Sequence, residues 1–123
     1  MRFQTTSLVA IATVSIIFIT GCSSTKTTTV SLACTEALAD QATAIVDMSL
    51  TDEQANDAER PALRACKDST EWLSGVKANP ASIGFTEATQ ETAESGIINA
   101  CLLLDEKYST PVCSDAKQTG LLD

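Results

Sequence analysis

Cysteine number and spacing, with no histidine anywhere, set the tightest limit on what this chain can fold into. Cys34, Cys66, Cys101 and Cys113 lie in the body, and Cys22 stands apart at the end of an apolar run. A structural zinc site usually takes cysteines in close pairs, often completed by histidine. Here the nearest pair, Cys101 and Cys113, has eleven residues between its members. Four well-spaced thiols in a small exported domain read instead as two disulfides. No metal or other cofactor is expected.

Export is legible upstream. Arg2 is the sole charge before Cys22, and Leu8 to Ile19 is almost wholly apolar, broken by Thr13 and Ser15. A basic start, a short greasy core and a small-residue exit describe a secretory leader. A spanning helix needs about 20 apolar residues. Ile19-Thr20-Gly21-Cys22 resembles the lipobox of bacterial lipoproteins. The resemblance implies a diacylglyceryl group on the Cys22 sulfur, cleavage just before it, and a protein held by fatty chains on the outer side of the cell membrane. Two chains suffice for stable attachment. The expected division is leader 1–21, lipidated Cys22 with a flexible Ser/Thr linker over 22–30, and a helical domain over 31–123. Ser23 to Thr29 has no large apolar side chain and cannot offset its own ordering entropy.

Loss of the leader leaves 7 basic residues against 16 acidic ones, a net charge of −9. Such a body is repelled by nucleic acid and anionic lipid, and no basic patch offers a phosphate-tracking surface. Phe85, Trp72 and Tyr108 are the only aromatics outside the leader, and alanine is plentiful. A core this lean needs covalent staples.

The spacing of apolar residues predicts helices. The first covers Leu32 to Met48, with Cys34, Leu38, Ile45 and Met48 on one face beside Ala37 and Ala42. Thr51 and Gln54 form a capping box. Pro61 should end a short helix over Asp52 to Arg60 and open a longer one. That longer helix carries Leu63, Cys66, Leu73 and Val76 on one side and ends at Asn79-Pro80. Thr86 should cap a third helix with Ala93, Ile97, Cys101 and Leu104 inward, flanked by Ile98 and Leu102. It stops near Lys107 to Ser109, before Pro111. The expected fold is all-α: a small three-helix bundle with two disulfides and, before Pro61, a short extra helix.

Helical rise places the cysteines. Cys34 lies 16 residues before a turn at Leu50 and Cys66 lies 16 after it, so both reach one level. A second turn near Ser82 to Gly84 brings Cys101 to that level, and the tail can return Cys113 to it. Every pairing is then sterically open. Cys66–Cys101 with Cys34–Cys113 is the favoured arrangement, and Cys34–Cys66 with Cys101–Cys113 is the alternative.

The segments ALRACKDSTEWLSGVKANPASIGF and NACLLLDEKYSTPVC resemble small exported proteins and lipoproteins of actinobacteria. The shared features are an Ala-Cys, a Trp a few residues on, an Asn-Pro stop, a third-helix Cys and a closing Pro-x-Cys. The resemblance covers Pro61 to Asp115. It implies a disulfide-bonded helical body and carries no activity to transfer.

Chemical candidates are few. Trp72 could stack on a sugar or plug into a partner, or simply cover the edge of the core beside Leu73 and Val76. Glu87, Glu91 and Glu94 recur at helical spacing and could share one face. Asp52, Glu53, Asp57 and Glu59 lack the ligand spacing of a calcium loop and read as a charged helix face. Without histidine there is no Ser or Cys dyad, and the five glycines form no phosphate loop. The expected function is a non-enzymatic tethered module that binds an envelope protein or a wall component. A passive structural or protective surface lipoprotein without a specific ligand is the alternative, and an enzyme the third reading.

Overall fold

A computed structural model describes residues 28–47, 49–103 and 109–123. Five α-helices and one 3₁₀ turn make a small bundle, and no strand occurs among the described residues. The helices are α1 (Leu32–Val46), α2 (Asp52–Ala65), α3 (Ser69–Ala78), α4 (Gln90–Leu103) and α5 (Pro111–Gln118); the 3₁₀ turn is Pro80–Ile83. The all-α, disulfide-stapled bundle expected from the sequence is what forms.

Ser31 starts α1 by accepting the Cys34 N–H, and Cys34, Leu38, Gln41 and Ala42 form its buried stripe. The capping box of Thr51 and Gln54 opens α2 as expected. Asp52 and Glu53 in the first turn and Arg64 in the last complement the helix dipole.

Three details differ from the sequence reading. Pro61 does not divide α2, which runs unbroken to Ala65. Both Pro61 and Asp57 are exposed, so the carbonyl deprived of its partner four residues back lies on the solvent side. The break falls instead after Cys66, whose backbone is extended (ψ 139°), because Asp68 caps a new helix by accepting the Glu71 N–H at 2.7 Å. The third main helix, α4, starts at Gln90 rather than after Thr86: Thr89 and Thr92 exchange backbone-to-hydroxyl hydrogen bonds at that entry. Residues 104–108, where the sequence places the end of this helix, lie outside the described residues, as does Met48. The tail is a fifth helix, capped by Thr110 and opened by Pro111.

Trp72, Leu38, Leu63, Ile97, Val76 and Val112 fill one core with Ala62, Ala93, Ala100 and Ala116. All four body cysteines belong to it. Their pairing is the alternative one, Cys34–Cys66 and Cys101–Cys113, with Cα separations of 4.5 and 5.5 Å. The favoured Cys66–Cys101 and Cys34–Cys113 bridges do not form. The α1–α2 hairpin alone brings Cys34 to Cys66, and the unforeseen α5 turns Cys113 back onto the end of α4.

Side chains knit the helices together. Gln41 Nε2 donates to the Ser82 carbonyl at 2.7 Å, fastening α1 to the 3₁₀ turn. Asp115 on α5 accepts from the backbone N–H and hydroxyl of Ser69, at the start of α3. A Cβ on Gly75 would run into Leu38 Cδ1, so glycine permits the close approach of α3 to α1.

Candidate functional site

The residues singled out from the sequence scatter. Cys22 lies outside the described residues. Trp72 is 1% exposed, which removes it from any binding surface and makes it the largest side chain of the core. Its Nε1 has no hydrogen-bond partner among the described residues. Glu87 precedes α4, so the three glutamates do not share a helical face. Glu94 accepts from Gln90 Nε2 at 2.6 Å, and Gln90 Oε1 accepts from Lys77 Nζ at 2.8 Å, a surface relay that occupies Glu94. Glu91 lines a cavity.

That cavity, about 450 Å³, lies between α2, the 3₁₀ turn and α4. On α4, Glu91, Thr92, Ser95, Gly96 and Asn99 line it from one helical face. Ile83 and Phe85 supply an apolar wall, and Glu59 reaches it from α2. The space exists because α2 packs chiefly on α1 and touches α4 only sparingly. Gly96 keeps the floor low: a Cβ there would stand 3.3 Å from Ile83 Cγ2 and 3.4 Å from Trp72 Cη2.

Glu59 is the unusual group. Burial pushes its carboxyl pKa up to about 7, with no cation or hydrogen bond among the described residues acting against it. Its neighbour Arg60 turns to Asp57, at 3.1 Å. Glu71 shows the opposite outcome. Burial alone would raise it too, but the backbone N–H groups of Lys67 and Ser31 donate to its two oxygens and hold its pKa below the usual range. Glu71 is therefore a structural carboxylate, and Glu59 is an unserved one facing a cavity.

A second recess of about 350 Å³ adjoins the first. It is lined by Ile45, Val46, Ala81, Gly84, Phe85 and Thr86 and is mostly apolar. Phe85 is common to both, and it is 52% exposed. Its backbone is fixed, since its N–H donates to the Pro80 carbonyl and Gly84 turns the chain at φ 78°. The turn at Gly84 carries Phe85, one of the few aromatics outside the leader, outward.

Glu59 and Phe85 carry no sequence signal as site residues. One sits in a charge-rich helix and the other in a loop of ordinary turn composition. Only the gap between α2 and α4 gives them a shared setting. Among the described residues no group of three or more acidic or cysteine side chains could hold a metal. A carboxyl titrating near neutrality can hold a cation or exchange a proton. The pocket gathers no histidine or free thiol beside it.

No helix among the described residues is long and apolar enough to cross a membrane. The chain matches no family model, no curated protein and no solved structure.

Proposed function

We propose that this chain is a lipid-anchored protein of the cell envelope, held by Cys22 on the extracytoplasmic side, whose helical body binds an envelope protein or a wall component and has no catalytic role. The observation that carries the reading is the burial of both disulfides in one core. Thiols persist as bridges in oxidising compartments, outside the cytosol. The basic, apolar leader and the Ile19-Thr20-Gly21-Cys22 tetrapeptide supply the route to such a compartment and the means of attachment.

On this reading the anchor also orients the body. Ser31 caps the start of α1, only nine positions after Cys22, so this end stands near the membrane. Val46 closes α1 roughly 22 Å away by helical rise. The apolar recess beside Phe85, to which Val46 contributes, thus lies toward the end away from the anchor. A partner in the envelope can reach it there.

Cell fractionation tests the anchor. The unaltered chain should sediment with membranes and partition into detergent, and Cys22→Ala should be released or remain uncleaved as a precursor. A processed Cys22→Ala chain that still partitions into detergent would overturn the reading.

A further inference from the structure

We propose that the two recesses flanking Phe85 form one docking groove for a segment of a partner protein that places a lysine or arginine beside a large apolar side chain. This deepens the binding role proposed above and rests on it, but it does not depend on the lipid.

The two halves differ in chemistry and share a wall. One side of Phe85 is a mostly apolar recess closed by Ile45 and Val46. The other side presents Glu59 and Glu91 with the Asn99 amide. An apolar side chain suits the first half, and an ammonium or guanidinium group suits the second. Glu59 is half-buried and is served by no cation or hydrogen bond among the described residues. Its desolvation is a cost the folded protein bears when the groove is empty, and a cation entering the groove offsets it. A carboxyl perturbed by desolvation inside a cavity is a candidate functional group.

Charge selects among the possible occupants. The chain carries 16 acidic residues against 8 basic ones, so a second copy would bring like charge to an acidic groove. An anionic lipid surface is disfavoured for the same reason, and the apolar half of the groove lies toward the end away from the tether. A basic-apolar protein segment satisfies both halves. The groove is also formed in advance. Gln41 fastens the 3₁₀ turn, and the turn fixes the Phe85 backbone, so little ordering entropy is lost on docking.

The test is selection from a random short-peptide display library on the oxidised mature lipoprotein in neutral detergent, followed by affinity measurements on the peptides recovered. Enriched peptides should pair a lysine or arginine with a large apolar residue. Their affinity should fall by at least about tenfold in the double variant Glu59→Gln, Glu91→Gln and in Phe85→Ser, and stay within about twofold in Glu94→Gln. Glu59→Gln removes a destabilising charge, so loss of binding in the double variant is not loss of fold; circular dichroism checks this directly. An absence of enriched peptides, enrichment without basic residues, or unchanged affinity in the double variant overturns the groove. Dimers that form in place of peptide binding would assign the face to a second copy and overturn it as well. Each of these failures leaves the anchor to be judged separately by the Cys22→Ala fractionation.

Discussion

Glu71 holds Ser31 across 40 positions of sequence: its Oε1 accepts the Ser31 backbone N–H at 2.7 Å. Its Oε2 accepts the Lys67 N–H at 2.6 Å, so one buried carboxylate joins the entry of α1 to the elbow between α2 and α3. The Cys34–Cys66 bridge ties the same two regions covalently. Hydrogen bonds to a buried charge are among the stronger polar contributions to stability.

Glu71→Gln should therefore destabilise the body by roughly 2–4 kcal/mol in urea unfolding at pH 7. The folded pKa lies below the unfolded one, so the contribution is present above the ordinary carboxylate range and is lost as pH falls through the folded value. The gap between wild type and variant should close toward acid pH. A gap that persists undiminished in acid would show that the charge is not what matters.

Glu59→Gln should do the reverse. Its folded pKa is about 7 against an ordinary 4.5, so the folded state binds more protons between those values and stability declines as pH rises through that window. Above it the penalty is complete. The variant should be more stable than wild type at pH 8, by on the order of 1–3 kcal/mol after allowance for partial solvent screening. It should show little advantage at pH 4. Paired thermal melts at the two pH values check both halves.

Pro61→Ala should stabilise α2 by about 1–3 kcal/mol, because alanine restores the donor that an interior proline lacks. Urea unfolding measures it. An unchanged or lower midpoint would mean that the proline serves the fold in a way its position inside α2 does not show.

Disulfide mapping by non-reducing peptide digestion should recover Cys34–Cys66 and Cys101–Cys113. By chain entropy, bridges spanning 32 and 12 residues contribute about 4 and 3 kcal/mol respectively. Full reduction should therefore abolish most helical circular dichroism at 37 °C, because the alanine-rich core has little to spare. Recovery of a Cys66–Cys101 peptide would contradict the fold.

Local signals were legible in the sequence where they rest on one turn of chain. The Thr51 capping box, the Leu32 start and the inward stripe of Ala93, Ile97 and Cys101 are all as read. Asp68-x-x-Glu71 and Thr110-Pro111 are helix-start signals of the same short range, but the sequence reading rests its helix boundaries on Pro61 and on a stop before Pro111. The disulfide pairing differs from the favoured one because the topology depends on the elbow at Cys66 and on α5. The groove was illegible for a different reason. Glu59 and Glu91 are 32 positions apart on helices that nearly miss one another, and no local pattern encodes a gap. Trp72 was legible only as a choice between surface and core, and packing against Gly96 decided for the core.

Intact mass of the mature protein, extracted from membranes without reductant, tests the anchored and doubly bridged body in one reading. The expected chain begins at Cys22, carries a diacylglyceryl group, and is lighter by two hydrogens for each of two disulfides. An unlipidated chain cut elsewhere, or one whose Cys34, Cys66, Cys101 and Cys113 take up alkylating reagent without reduction, would contradict it.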